Sequence, residues 1–286
     1  MTPLKSALDW DLFVTPVQLI VDDDLPPGEQ LRYWPPISAT LITGDRDAVL
    51  VDPLMTIAQA RALGRWVAAS GKRLTAVYIT HPHGDHFLGL GPVLERFPGA
   101  RAIAAEAVVE RMKQQASSDI LNSYYEPRLP RQVVDQIAIP EVLGGGRFEL
   151  EGHELVVVNV GHADTDGSTC LHVPEIGLVV AGDVAYNDVH LHLGEPGGDG
   201  TAEWIRALDT IEALEPTAVV AGHKRGERPD SPSIIAETRE YIRDFDRVVV
   251  RASTAPEIYA QMLELHPDRL NRGALWSAAR ASARAA

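Results

Sequence analysis

Cysteine is nearly missing from this chain: Cys170 is the only one in 286 residues. A single thiol excludes an internal disulfide framework and any zinc site built from several thiolates. Cys170 reads instead as a small apolar residue packed in a strand. Basic side chains are also scarce. Lys and Arg total 26 against 40 Asp and Glu, a formal net charge of −14 with a pI near 5.1. Proteins that grip a phosphate backbone carry a basic face, so nucleic acid is not expected as a partner, nor is an anionic membrane surface. No apolar run approaches the ~20 residues of a membrane-spanning helix. The first residues carry Lys5, Asp9 and Asp11 and lack a continuous apolar stretch, which is not a secretory pattern. A cytoplasmic location is the default. No internal repeat and no Gly/Ser linker divides the chain.

Hydrophobic residues make up 45% of the sequence, enough for a sizeable core. Their spacing predicts strands over 12–21 and 38–52, the second broken by a turn at 44–47, then an amphipathic helix over 56–70. Further strands are expected at 76–80, 101–104, 169–173, 178–182 and 218–222, with a hairpin over 148–160. Helices are expected at 105–115 and 202–214, and two more in the tail at 232–246 and 255–265. Residues 116–140 break this rhythm and read as an insertion beside the site, as either a lid or a surface connector. Residues 194–200 form a glycine-rich loop, and the compositionally simple run 277–286 is expected to fray. Residues 1–230 are therefore taken as a catalytic domain, and 231–286 as a helical extension packed on it.

The densest chemistry lies at Thr80-His81-Pro82-His83-Gly84-Asp85-His86, directly after the apolar run Ala76-Val77-Tyr78-Ile79. Four potential metal ligands fall within six residues at the end of a buried strand, where α/β proteins keep their reactive groups. Imidazole with carboxylate suits zinc, and also iron or manganese. Three His and one Asp exceed what one tetrahedral ion takes from a single loop, so two divalent ions are expected. His162, Asp183 and His223 each follow another apolar run: Leu155–Val160, Leu178–Ala181 and Ala218–Ala221.

This order resembles the metallo-β-lactamase superfamily, whose signature is HxHxDH followed by His, Asp and His at the ends of later strands. The resemblance spans Asp52 to His223. It implies an α/β fold, an αβ/βα sandwich of two mixed sheets flanked by helices, with the metals at one edge. It also implies that His81, His83 and His162 hold one ion, that Asp85, His86 and His223 hold the other, and that Asp183 bridges them. Asp85, Asp183 and Tyr186 would then be the catalytic residues. Asp52 and Thr80 are expected to orient metal-bound imidazoles, as ligating histidines need an acceptor on their other nitrogen; capping a turn is the alternative for Asp52. Asp164 is placed beside the metals, since His162-Ala163-Asp164-Thr165-Asp166-Gly167-Ser168 is two residues longer than the short form common in the superfamily.

Tyr186, three residues after Asp183, resembles the acyl-homoserine lactonase branch and could donate to a developing oxyanion. Its alternative is a packed ring with the hydroxyl satisfied elsewhere. Tyr124, Tyr125, His190, His192 and Lys224 are candidates for lining a pocket that takes a small-molecule substrate. His190 and His192 would share one face of an extended segment, and Lys224 would either hold a substrate carboxylate or face solvent. The resemblance leads first to carboxylic ester or lactone hydrolysis. A glyoxalase-II-like thioesterase comes next, then β-lactamase-like or phosphoester cleavage, with a non-catalytic metal-binding module as the alternative of another kind. A homodimer stays open.

Overall fold

A computed structural model describes residues 8–115, 117–195 and 200–283, with the backbone alone at Ser118. Lys5, residues 196–199 of the glycine-rich loop and the last three residues of the terminal run lie outside it. Among the described residues there are thirteen strands, most of them from the apolar runs. Asp9–Val14 (β1), Ser38–Thr43 (β4), Asp47–Val51 (β5), Arg73–Ile79 (β6), Arg101–Ala104 (β7) and Glu141–Val142 (β8) form one sheet, ordered β1-β4-β5-β6-β7-β8. Arg147–Leu150 (β9), His153–His162 (β10), Asp166–Val173 (β11), Leu178–Gly182 (β12) and Ala218–Ala221 (β13) form the second, ordered β13-β12-β11-β10-β9. Both sheets are mixed. β5, β6, β7 and β8 run parallel to one another, as do β12 and β13, and the other pairings are antiparallel.

The sheets face each other and helices cover their outer faces, because the central strands are apolar on both sides. Alternation along β12 shows it. Leu178 and Val180 join the core between the sheets, while Val179 and Ala181 join a second core beneath the helices. Tyr78 on β6 crosses between the sheets, its hydroxyl 2.6 Å from Thr169 on β11 and its ring stacked 6.0 Å from Phe148 on β9. The helix Ile57–Ala69 starts where its capping box forms, with Thr56 and Gln59 satisfying each other's backbone N–H groups.

Two expectations change. The stretch 12–21 is not one strand. Pro16 offers no N–H to continue the ladder, so the chain leaves β1 and forms Gln18–Ile20 (β2), which pairs with Arg32–Trp34 (β3) in a separate hairpin. The terminal run does not fray over its described length. It is a third C-terminal helix, Arg272–Ser282, capped by the Asn271 side chain accepting from the Ala274 N–H. Leu275, Ala278 and Ala279 are buried there, and the Trp276 indole donates to Asp24. Its alanine content, read as simplicity, is strong helix propensity with a packed face. With Ser233–Arg251 and Ala255–Leu265, this helix shares one core with Val179 and Val219 of the second sheet. Cys170 is fully buried in β11.

Candidate metal centre

The ends of four strands converge at one edge. β5 delivers Asp52, β6 delivers Thr80 and His81, β12 delivers Asp183, and β13 delivers His223. A turn of helix after β6, Gly84–Phe87, adds Asp85 and His86. Parallel neighbours end on the same side, so residues far apart in sequence meet without a special fold element. Two glycines permit the approach. A Cβ on Gly222 would sit 2.2 Å from Asp183 Oδ1, and one on Gly182, at φ +53°, 2.6 Å from Thr80 Oγ1.

Donor accounting sets the direction of every imidazole. Thr80 Oγ–H goes to Asp52 Oδ2 (2.7 Å), so Thr80 Oγ accepts from His81 Nδ1–H (2.9 Å). His86 Nδ1–H donates to Asp52 Oδ2 (3.2 Å) and His223 Nδ1–H to the Pro36 carbonyl (2.9 Å). His83 Nε2–H donates to Glu195 (2.9 Å). Burial pushes the Glu195 carboxyl up, but the hydrogen bond and charge of His83 hold it down at about 2. The inward nitrogens of all four rings are thus left to face the cluster, and against the cost of burial the carboxylates there hold His83, His86 and His223 well toward the charged form.

These nitrogens point at carboxylates. His223 Nε2 lies 3.2 Å from both Asp85 Oδ2 and Asp183 Oδ2, and His86 Nε2 lies 3.4 Å from Asp183 Oδ1. His81 Nε2 is 3.8 Å from Asp164 and 3.9 Å from Asp183, and His83 Nδ1 is 2.7 Å from Asp164. His81 Nε2, His86 Nε2, Asp183 Oδ1 and Asp164 Oδ1 are buried without a hydrogen bond. Carboxylates and imidazoles gathered in a dry site need positive charge among them, which protons on the rings or bound cations can supply. Ligands held ~2.0–2.1 Å from a tetrahedral zinc sit about 3.3 Å apart, which the separations of 3.2 and 3.4 Å around Asp183 and Asp85 match, while the 2.7 Å between His83 and Asp164 is a hydrogen-bond distance. The residues therefore fit divalent cations. Burial opposes charging His86, yet Asp183 and Asp85 raise its ring to about 9, a measure of how strongly the cluster calls for positive charge.

Not every expected residue joins. His81, His83, Asp85, His86, Asp183 and His223 meet as read from the sequence. Among the described residues, the groups of potential ligands that lie within 4.8 Å of one another do not include His162. Its Nδ1 is 2.7 Å from Asp166, which in turn pairs with Arg111. Asp164, placed beside the metals, stands among the ligand atoms instead. Tyr186 donates its hydroxyl to Asp183 Oδ2 (2.8 Å) and is 1% exposed, so its proton is committed to a ligand rather than aimed at substrate. His190 and His192 do not share a face. His190 turns into the C-terminal core, Nδ1 2.8 Å from the Tyr241 hydroxyl, whereas the ring of His192 lies 5.7 Å from that of His83. Lys224 is buried in an ion pair with Asp230 (2.6 Å), which removes it from substrate binding and from solvent.

The cluster floors a cavity of about 540 Å³. Trp34, Tyr124 and Tyr125 form its aromatic wall, with Ile20 and Ile120 beside them and Ala274 and Ser277 of the C-terminal helix also lining it. Tyr125 also accepts the Gly84 N–H (3.0 Å), which ties residues 118–128 to the ligand loop. Burial, helped by the nearby His83, holds His192 down at about 4, a neutral ring at the cavity wall. Two contributors escaped the sequence reading. The Trp34 indole donates to Asp85 Oδ2 (2.9 Å), and Glu195 orients His83. The Tyr33-Trp34-Pro35-Pro36 cluster was a visible signal for the first. Glu195 had only its nearness to His192.

The model of the metallo-beta-lactamase superfamily matches residues 32–223. A hydroxyacylglutathione hydrolase of Rhizobium meliloti (strain 1021) is 31% identical over 54% of this chain and 50% of its own length. Another hydroxyacylglutathione hydrolase, of Parasynechococcus marenigrum (strain WH8102), is 29% identical over 64% of each chain. The chain spans less than two thirds of the length of these curated relatives. Among solved structures, a metallo-beta-lactamase family protein from Thermus thermophilus superposes with a TM-score of 0.64 at 21% identity, covering 95% of this chain and 91% of that one.

Proposed function

Because the chain belongs to the metallo-beta-lactamase superfamily, we propose that it is a metal-dependent hydrolase that cleaves a small carboxylic ester or lactone. The observation that carries this is the ring of inward imidazole nitrogens and unpartnered carboxylate oxygens at the floor of a cavity walled by aromatic and aliphatic side chains. Two divalent ions, zinc first and iron or manganese also suited, would supply Lewis acidity and a hydroxide nucleophile near neutral pH.

The chain's own residues do the rest. Asp183 turns one oxygen toward His86 and the other toward His223 and His81, so it is the shared carboxylate. Tyr186 holds that carboxylate in place. Asp52, through Thr80 and His86, locks two imidazoles in the tautomer that ligates. The cavity wall excludes water and orients the acyl group. Arg32 and Arg128 at the rim are both paired with Asp22, at 3.4 and 2.9 Å, and so lack the open charge that anchors a phosphodiester. That favours an uncharged acyl substrate.

Thioester hydrolysis is the second reading, favoured by the names of the two curated relatives. A panel of lactones, aryl esters, glutathione thioesters and phosphodiesters, assayed with metal-loaded protein before and after chelation, separates the readings. Lactone or ester turnover that is lost with chelator and restored by metal is expected. Turnover confined to thioesters selects the second reading, and turnover indifferent to chelator rejects both.

A further inference from the structure

We propose that Asp164, and not His162, completes the first metal site, so that this ion is held by His81, His83, Asp164 and the shared Asp183. The inference rests on the metal-hydrolase reading and changes which residue of the β10–β11 turn binds. His162 is the last residue of β10, after two register shifts around Gly161. Its Nδ1 is engaged by Asp166, and it lines a different cavity, beside Trp204 and Phe245. Two residues on, Asp164 is 1% exposed, its Oδ2 faces His83 and its Oδ1 has no hydrogen-bond partner.

A carboxylate buried this deeply stays charged only with positive charge beside it. Its neighbours are ligand types. Asp164 Oδ2 is 2.7 Å from His83 Nδ1 and 3.8 Å from His81 Nε2, and both rings already have an outward partner, in Glu195 and Thr80, which leaves these inward nitrogens free to ligate. Four donor atoms, from His81, His83, Asp164 and Asp183, lie within 4.8 Å of one another. A cation among them satisfies all four. The turn Ala163-Asp164-Thr165 makes this reachable: Ala163 N–H donates to Thr165 O (3.1 Å), which closes the backbone and carries the carboxylate inward. Trading an imidazole for a carboxylate makes the donor set harder, so the first site should accept manganese or iron more readily than a three-imidazole site would.

The test is metal content, read independently of turnover. Apo-protein is incubated with excess zinc or manganese, desalted and analysed for bound metal, with circular dichroism confirming the fold. Wild type and His162→Ala are expected to retain two equivalents and Asp164→Ala about one. Asp164→His should return to two equivalents of zinc with a lowered manganese-to-zinc ratio. Asp164→Asn, of the same shape, provides the comparison if the alanine variant misfolds, and should also lose an equivalent. Loss of an equivalent in His162→Ala with two retained in Asp164→Ala overturns the assignment and leaves the hydrolase reading standing. A wild-type chain that binds no metal removes the hydrolase reading itself.

Discussion

At the scale of single residues, the centre is governed by which atom holds each hydrogen. Thr80 has one hydroxyl hydrogen and gives it to Asp52, which forces His81 to donate from Nδ1 and present Nε2 to the cluster. Tyr186 follows the same logic. Its hydroxyl donates to Asp183, the carboxylate that faces both halves of the centre. A hydrogen bond to a buried charged group contributes about 1.5–3 kcal/mol, and losing it lets the carboxylate rotate. Tyr186→Phe should therefore lower kcat by on the order of 10-fold with KM little changed, since the fault lies in the reacting centre and not in substrate contacts. Steady-state kinetics checks this. A rise in KM at constant kcat would place the ring in the substrate wall instead.

At the scale of elements, the C-terminal helix Arg272–Ser282 links stability to the cavity. Its buried face, Leu275 with Ala278 and Ala279, packs in the core beneath the second sheet. Its outer side receives Arg32, which bonds Ser277 (2.6 Å) and the Gly273 carbonyl (3.1 Å) from the strand that also carries Trp34. Leu275→Ala removes a fully buried side chain and should cost about 2–5 kcal/mol, measured as a shift in the urea midpoint. Loosening this helix also loosens one cavity wall, so KM should rise in the same variant while kcat holds. The sequence reading missed this helix and expected fraying over 277–286. Asn271 and the Leu275–Ala279 spacing suited a capped helix, but nothing local said which surface would receive it.

At the scale of the whole molecule, two apolar cores carry the fold and the ligand residues sit at their shared edge. Chelation should abolish turnover while leaving the far-ultraviolet circular dichroism essentially unchanged and lowering Tm. A cooperative loss of signal on chelation would show that the metals are structural. Acid should act through the buried histidines. Burial, with Arg269, His266 and Arg272 nearby, holds His190 down at about 3 from an ordinary 6.5. The unfolded chain takes up this proton first, so the stabilisation is complete above pH ~6.5 and declines as pH falls from there toward ~3, by up to about 1.4 kcal/mol per pH unit. Urea midpoints at several pH values between 7.5 and 4 should trace that fall, and His190→Gln should flatten its slope. An unchanged slope in that variant would assign the acid sensitivity to other groups.

The sequence alone determined what is local. Spacing within His81–His86 delivers several ligands from one turn whatever surrounds them, and an apolar run ending in Asp or His marks a strand that carries a ligand to a sheet edge. The sandwich architecture came from the resemblance that the ligand motifs carry. Tertiary structure decided every matter of direction. His162 and Asp164 are both polar residues on one short turn, and only the register shift at Gly161 and the pull of Asp166 separate the one that turns away from the one that faces the cluster. His190 and His192 are likewise two residues apart, and packing against Tyr241 sends one of them into the core. Trp34 and Glu195 reach the centre across 51 and 112 residues of chain. The physical reason is common to all of them. Local sequence sets which backbone is extended or turned, but where a side chain points is settled by the partner it meets, and that partner arrives only when distant segments pack.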